Sequence, residues 1–348
     1  MKYKTPNNLQ WEFSVPLRMA FCIAVFLIVS PGVSTAQTPD GDKTASVARA
    51  AAATLTRGPF LQIGTPSGVI VRWRTAESTQ SRVIYGEAPD SLTEVVIDAT
   101  STTEHEIEIT GLSPDTRYYY AVGTDVEVLA GADSSHYIHT SPNAGSQRPT
   151  RIMVIGDGGA PWLDLFDVRD SYMAHAADRP ADFWLTLGDN AYPDGTDAEY
   201  QAAVFDAFSA QLNHTVLWPS RGNHDLIYSG PNNDYYDIFS LPTSAEAGGI
   251  PSGGEEYYSF DYANIHFICL DSQGSDRSPS GSMLTWLQND LAATTQDWVI
   301  AYFHHAPYSK GTHDSDNPTD SGGRLRDMRE NALPILEAGG VDLVLAGH

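Results

Sequence analysis

The sequence has few cysteines, few basic residues and no long apolar run. Only two of its 348 residues are cysteine, and Cys22 lies in a segment that we interpret as a cleaved leader. Cys269 is then alone, so no internal disulfide is expected, and the apolar residues around it predict a small core side chain. Lys and Arg number 20 against 44 Asp and Glu, for a formal net charge of -24. This balance disfavours nucleic acid and anionic membranes as partners.

The first 36 residues have the pattern of a secretory signal peptide. Basic residues (Lys2, Lys4 and Arg18) precede an apolar run of 11 residues, Met19 to Val29, which is short for a bilayer span. Ser34-Thr35-Ala36 is a small-residue cleavage site. We therefore predict a secreted or periplasmic protein with no stable membrane insertion after cleavage. A membrane anchor is the alternative interpretation.

The rest of the chain divides into two predicted domains. Residues 37–56 and 141–149 have the composition of linkers. Between them, short strand-like runs separated by turn residues predict an all-β sandwich over 57–140. The runs are Val69–Arg74, Ser81–Tyr85 and Glu104–Ile109.

From residue 150 to residue 348 strand patterns alternate with helical ones, which predicts an α/β domain of sheets covered by helices. Strands are expected at 151–155, 182–187, 215–218, 298–303 and 341–346, with two more over 257–270 and a turn near Asn264. Helices are expected at 163–177, 197–212, 282–293 and 324–338. A polar loop at 312–323 is placed where it could lie over a site.

Five polar motifs each follow an apolar strand run. They are Gly156-Asp157-Gly158-Gly159, Gly188-Asp189-Asn190-Ala191-Tyr192, Gly222-Asn223-His224-Asp225, His304-His305-Ala306-Pro307-Tyr308 and Gly347-His348. In open α/β sheets ligands bind beyond the carboxyl ends of strands, so we expect the five motifs to meet at one crevice. Each motif alone is a weak signal, since a lone Gly-Asp or His is common in ordinary turns.

The donor types in these motifs predict a metal site. Carboxylate, phenol, amide and imidazole groups without a thiolate suit iron, zinc or manganese. Two such ions can together hold a phosphoryl group, and they need a bridging carboxylate. Asp189 is the natural candidate for the bridge.

The motifs also resemble a known family. Thr110 to Tyr120 resembles the loop and strand of a fibronectin type III or immunoglobulin-like module, and Arg57 to Gln62 resembles the start of that module in purple acid phosphatases. Across 150–348 the motif order resembles the calcineurin-like metallophosphoesterases. The particular match is to purple acid phosphatases, because Asp157-Gly158-Gly159 lacks the usual His and Tyr192 stands three residues after Asp189.

The resemblance implies hydrolysis of phosphate monoesters at a dinuclear centre, by hydroxide that the metals activate. It implies that Asp157 and Tyr192 bind Fe(III) and that Asp189 bridges the ions. Asn223, His304 and His348 would bind the second ion, which is Zn, Mn or Fe(II). His224 and Asp189 would be the catalytic residues, and His313, His224 and Asn223 would contact a small phosphorylated substrate.

Two points stay open at the level of sequence. Neighbours in a strand point to opposite sides, so only one of His304 and His305 is expected to bind metal, and the downstream residues favour His304. The family motif is Gly-His-x-His, whereas this chain ends at His348, so we expect the C-terminus to be truncated.

Alternatives to an acid phosphatase also remain. One is a phosphodiesterase or nucleotide hydrolase on the same fold. Another is a non-catalytic secreted binding protein, if the metal site is incomplete. A secreted nuclease is disfavoured by the acidic charge.

Overall fold

The computed structural model describes residues 52–162, 164–226 and 234–348. The predicted signal peptide lies outside these residues, as does most of the 37–56 linker. Within the described ranges, no helix has the length and apolar character that a membrane crossing requires. Cys269 is buried and forms no disulfide, which confirms its prediction as a core residue.

The N-terminal part of the described chain consists of six strands. They are β1 (Leu55–Gln62), β2 (Gly68–Gly86), β3 (Glu94–Thr110), β4 (Arg117–Gly123), β5 (Val128–Gly131) and β6 (Tyr137–His139). The prediction of separate strands at 69–74 and 81–85 was wrong, since β2 runs through both. Polar residues between the two runs still pair with β3, and two register shifts near Thr79 accommodate them.

The N-terminal strands share one nine-stranded sheet with the first strands of the following region. These are β7 (Ile152–Ile155), β8 (Phe183–Leu187) and β9 (Val216–Ser220). The sheet order is β5-β4-β2-β1-β9-β8-β7, with β3 paired to β2 and β6 to β4. The junction is a parallel pairing of Leu61 with Val216. The hydrogen bonds thus form one continuous sheet, and the separate fibronectin-like sandwich stays a prediction.

Strand β1 begins at Leu55, inside the segment predicted to be a linker, because Leu55 pairs with Thr75 of β2. Arg57 then crosses to the second region. Its guanidinium is buried and lies 2.8 Å from a carboxylate oxygen of Asp197. The two predicted domains are therefore joined by a charged contact as well as by the sheet.

The remaining strands form a second sheet in the order β10-β11-β12-β13. They are β10 (Tyr258–Tyr262), β11 (Ile265–Cys269), β12 (Trp298–His305) and β13 (Leu343–Gly347). β10 and β11 are antiparallel and turn at Ala263-Asn264, as predicted, while β11, β12 and β13 are parallel. The register of β12 against β13 shifts between Phe303 and His305.

Helical segments lie between the strands and confirm the predicted α/β alternation. The α-helices are α1 (Leu165–Ala176), α2 (Asp197–Tyr200), α3 (Ser209–Leu212), α4 (Asp234–Ile238), α5 (Ser282–Ala293), α6 (Arg324–Asp327) and α7 (Leu333–Ala338). The expected helices at 197–212 and 324–338 each contain a π-helical stretch, Gln201–Asp206 and Met328–Ala332. Short 3-10 helices occur at His224–Leu226 and Asp320–Gly323.

The larger hydrophobic core lies between the two sheets. Trp218 of β9 stacks on Phe260 of β10 with ring centroids 3.9 Å apart, and Phe183 of β8 packs edge-on against Phe267 of β11. Burial of these aromatic side chains from both sheets holds the sheets face to face. Their strand ends are therefore set close together at one side of the core.

Candidate metal centre

The five polar motifs lie at the carboxyl ends of β7, β8, β9, β12 and β13, as the sequence predicted. β7, β8 and β9 are parallel neighbours in the first sheet, and β12 and β13 are parallel neighbours in the second. β8 contacts both β12 and β13. Residues separated by up to 191 positions consequently meet, as the hydrogen bond from the His348 amide to Asp157 shows.

Two glycines allow this close approach. A Cβ atom on Gly188 would lie 2.6 Å from Nδ1 of His304, and Gly188 also has a φ of 85°. A Cβ on Gly222 would lie 2.2 Å from a carboxylate oxygen of Asp189. Larger residues at these positions would collide with the candidate ligands, so space requires glycine at both positions and the backbone angle requires it at Gly188 as well.

Asp157, Asp189 and Tyr192 form one side of the centre. Both aspartates have left-handed backbone angles, with φ of 55° and 53°, a conformation that costs energy outside glycine and is concentrated at functional sites. The Tyr192 hydroxyl lies 2.8 Å from Oδ2 of Asp189 and 3.4 Å from Oδ1 of Asp157. Burial, together with these two carboxylates, raises the pKa of Tyr192.

The carboxylate of Asp189 connects this side to the other one. Its Oδ1 accepts the backbone N–H of His224 at 2.9 Å and lies 3.3 Å from Nε2 of His304. Burial alone would raise the pKa of Asp189, but the contacts with His304, His224 and Tyr192 hold it below its ordinary value. Asp189 is thus ionised and central, as a bridging ligand must be.

His304 is the focus of the second side. Its Nδ1 donates to the carbonyl of Leu187 at 2.8 Å, so Nε2 is the ring nitrogen that faces the centre. Burial lowers the pKa of His304, but the carboxylates of Asp189 and Asp157 raise it overall, so the surroundings of Nε2 favour a positive charge. Oδ1 of Asn223 and Nδ1 of His348 each lie 3.0 Å from that Nε2. Two oxygens and two ring nitrogens therefore converge without enough protons to satisfy all of them, an arrangement that suits a cation.

His305 is also buried, and its ring lies beside the rings of His304 and His348. The ligand atoms of His304, His305 and His348 all lie within 4.8 Å of one another. Nδ1 of His305 contacts the Ser272 hydroxyl at 2.9 Å, whereas Nε2 has no hydrogen-bond partner among the described residues. Burial, then the neighbouring histidines, lowers the pKa of His305 strongly, so its ring is neutral.

The expectation that alternation would point His304 and His305 to opposite sides fails here for a local reason. The register shift at the end of β12 interrupts the regular strand between Phe303 and His305. A bulge of this kind re-aims a side chain. The choice of His304 rather than His305 as ligand stays a prediction, although His304 has the closer carboxylate and amide contacts.

The predicted substrate residues His224 and His313 are brought to the same centre. The His224 ring packs on Tyr192 with centroids 4.4 Å apart, and its Nδ1 lies 2.6 Å from the Pro193 carbonyl. The His313 ring stacks on His348 at 4.0 Å. The 312–323 loop therefore does reach the site.

Sequence reasoning left open whether Asp225 supports the site or makes ordinary turn or surface contacts. Asp225 is buried and accepts hydrogen bonds from Asn190, from the Gly222 amide and from the Tyr200 hydroxyl. It thereby ties the loop after β8 to the loop after β9. Asp320 and Ser321 were missed as site residues, since an Asp-Ser-Gly-Gly run has the signature of an ordinary turn.

Comparison with known proteins agrees with this geometry. Residues 150–348 match the family model "Calcineurin-like phosphoesterase", and residues 57–140 match "Purple acid Phosphatase, N-terminal domain". Purple acid phosphatase 15 of Arabidopsis thaliana is 26% identical over 283 residues, covering 73% of this chain and 49% of the relative. Phosphoenolpyruvate phosphatase of Allium cepa is 26% identical over 304 residues, covering 80% and 58%. The chain thus spans about half the length of the curated relatives it matches.

Solved structures show the same fold at low identity. The purple acid phosphatase PPD1 from yellow lupin aligns with a TM-score of 0.58 and 16% identity, covering 84% of this chain and 58% of that one. PhoD aligns with a TM-score of 0.58 and 15% identity, covering 83% and 70%.

Proposed function

We propose that this chain, which belongs to the calcineurin-like phosphoesterase family, hydrolyses phosphate monoesters at a pair of metal ions. The observation that carries the proposal is the convergence of Asp189, Asn223 and His348 on Nε2 of His304. The Tyr192 hydroxyl contacts both Asp189 and Asp157, and the ligand atoms of Asp157, Asp189 and His304 lie within 4.8 Å of one another. Two sets of donors that share one carboxylate are what a dinuclear centre needs.

The donors present fit two ions of different character. Asp157, Tyr192 and Asp189 would hold the first, and Asp189, Asn223, His304 and His348 the second. A phenolate oxygen beside two carboxylates is a set of hard donors that suits a strongly Lewis-acidic ion, which favours Fe(III) beside Tyr192. The mixed imidazole and amide set favours Zn, Mn or Fe(II). When bound, such ions neutralise phosphoryl oxygens and lower the pKa of water.

The protein's own residues would position the substrate around these ions. Asn223 and His224 stand on one loop, and His313 approaches from the opposite side against His348. His224 is held by the Pro193 carbonyl at Nδ1, which leaves its other ring nitrogen to face a leaving-group oxygen. The positive charge of the proposed metal ions would also allow a chain of net charge -24 to bind an anionic substrate.

We also propose that the protein is secreted or periplasmic and that its N-terminal strands fold like a fibronectin type III module. The register shifts near Thr79 divide β2 into two halves, of which one pairs with β1 and the other with β4. This division supports two packed layers within the continuous ladder. N-terminal sequencing of the mature protein tests the cleavage site after Ala36.

The experiment that tests the proposed function compares a phosphate monoester with a diester on the purified, metal-loaded protein. We expect faster turnover of para-nitrophenyl phosphate than of its bis-ester, together with a visible absorption band that is lost in Tyr192→Phe. Asp170→Asn, at an exposed carboxylate of α1, is the matched control. Faster diester turnover would replace the monoesterase by a phosphodiesterase, and no turnover in the loaded protein would overturn the enzymatic proposal.

A further inference from the structure

The turn at 320–323 has an unusual backbone for a loop that contains serine. Ser321 has φ 49° and ψ 30°, and Gly322 and Gly323 follow with φ of 65° and 83°. Three successive left-handed residues are favourable only for glycine, and the serine in first place is strained. Strain of this kind persists where surrounding contacts over-determine it.

Two side chains of this turn, Asp320 and Ser321, make contacts with histidines of the candidate centre. Oδ1 of Asp320 accepts from Nδ1 of His313 at 2.9 Å and from the Ser321 hydroxyl at 2.9 Å. The Ser321 oxygen in turn lies 2.7 Å from Nε2 of His348. One carboxylate is therefore connected to two histidines, directly to His313 and through Ser321 to His348.

Asp320 is itself held firmly. Its second oxygen accepts the backbone N–H of Asp314 at 2.8 Å, and its side chain is only 15% exposed. This backbone bond, followed by the contacts with His313 and Ser321, keeps the pKa of Asp320 well below its usual range. The group is consequently an acceptor with a fixed direction.

The proton positions follow from this acceptor. His313 must carry its proton on Nδ1 to bond Asp320, which leaves Nε2 on the other edge of the ring. That Nε2 has no hydrogen bond within the part of the chain that the structure describes. Ser321 donates to Asp320, so it accepts the Nε2 proton of His348 and leaves the lone pair of Nδ1 facing Nε2 of His304.

We propose that Asp320 is a positioning residue of the centre, which sets the tautomer of His313 for substrate and, through Ser321, that of His348 for metal. The substrate half of this statement rests on the proposed function, whereas the metal half does not. Outer groups that orient ligating histidines typically contribute 10- to 100-fold in metal affinity or activity.

Three variants separate the two routes. Asp320→Asn removes the fixed acceptor for both histidines, Ser321→Ala breaks only the route to His348, and His313→Ala removes only the substrate route. We expect Asp320→Asn to lower kcat/KM at saturating metal by about tenfold. When His313 is already alanine, Asp320→Asn should lower kcat/KM no further, because the effects of two residues that act through one contact are not additive. Asp320→Glu should recover part of the loss.

Metal affinity provides a readout independent of turnover. Competitive zinc titration should show about tenfold weaker binding in Ser321→Ala and Asp320→Asn, and unchanged binding in His313→Ala. Asp316→Asn is the matched control, because it removes one carboxylate charge from the same loop. Asp316 pairs with Lys310 and Arg329 and not with a histidine of the centre. It should keep wild-type affinity and turnover.

Nitrogen-15 spectra of the metal-free protein at neutral to alkaline pH give the direct signature. We expect the Nδ1–H tautomer of His313 in the wild type and a mixture in Asp320→Asn. Losses that multiply in the double variant, or an unchanged tautomer in Asp320→Asn, would overturn the proposal. If the wild type hydrolyses no phosphate ester, the proposed function fails, while the tautomer and the zinc titration still decide whether Asp320 positions these rings.

Discussion

Two buried clusters of histidine and aspartate can be compared in this molecule. In the second sheet, His266 contacts Asp261 at 2.7 Å through Nδ1 and Asp290 at 2.8 Å through Nε2. At the strand ends, Nε2 of His304 instead faces two oxygens and another ring nitrogen, and Nε2 of His305 has no partner in the described ranges. Each ring nitrogen of His266 has a carboxylate partner, whereas the ring nitrogens at the strand ends face one another and nearby oxygens, the arrangement that the proposed cations would fill.

Whether each buried ring nitrogen has a partner within the protein distinguishes structural from functional polar groups. A buried imidazolium between two carboxylates has an anionic acceptor for each of its N–H groups, and removing one of them costs stability. A surplus of lone pairs around one nitrogen is unfavourable without a ligand, so it persists where binding compensates for it. Perturbing the first cluster should therefore change folding, and perturbing the second should change metal binding and catalysis.

The largest effect is expected from Asp189→Ala. Loss of the shared carboxylate should lower kcat/KM by about 10³-fold or more, because several kcal/mol of transition-state stabilisation depend on paired ions. Steady-state kinetics with para-nitrophenyl phosphate measure this. The unfolding midpoint of the metal-free variant should stay near that of the wild type. Full activity in Asp189→Ala would contradict the assignment.

Asp290→Asn is the corresponding change in the other cluster. It leaves His266 with one charged partner, and we expect a loss of about 3–5 kcal/mol in the free energy of unfolding. Urea denaturation measures this loss. The folded variant should retain wild-type kcat/KM, since His266 lies outside the strand-end motifs. A large fall in kcat/KM with an unchanged free energy of unfolding would contradict the structural role of this cluster.

The same cluster predicts a pH dependence. Burial alone would lower the pKa of His266, but its hydrogen bonds to Asp261 and Asp290 raise it from 6.5 to about 9. Because the folded pKa exceeds the unfolded one, this stabilisation is fully present below pH 6.5 and is lost as the pH rises through about 9. Its size is of order 3 kcal/mol. Urea denaturation of the metal-free protein should show this decline in the wild type and its absence in His266→Gln; equal declines in both would contradict it.

The smallest expected effect concerns the left-handed turn. Ser321→Gly removes a strained side chain and should raise the free energy of unfolding by about 0.5 kcal/mol, whereas Ser321→Ala keeps the strain and should give no gain. Both remove the hydroxyl, so zinc affinity should fall equally. Thermal unfolding of the two metal-free variants measures the difference. Greater stability in Ser321→Ala than in Ser321→Gly would contradict the strain argument.

Much of the centre could be predicted because strand ends are visible in the sequence. Asp157, Asp189, Asn223, His304 and His348 each follow an apolar run, and parallel strands bring such positions together. The approach of His305 could not be predicted in this way. It depends on the register shift at the end of β12, and pairing registers leave no mark in a single sequence.

The joined sheet and Asp320 were missed for a related reason. The pairing of Leu61 with Val216 spans 155 positions and is fixed by packing between regions, not by local propensity. The contact from Asp320 to His313 depends on three left-handed residues, of which only the two glycines suggest such angles in the sequence. Element types were therefore predictable, while long-range pairings and loop-borne contacts required coordinates.

The most direct test of the central claim is the metal content of the natively purified protein, measured by inductively coupled plasma mass spectrometry beside the Asp189→Ala variant. The account predicts two ions per active wild-type chain, one of them iron, and at most one in the variant. Active wild-type protein with one ion or none, or a variant that retains both, would contradict a dinuclear centre bridged by Asp189.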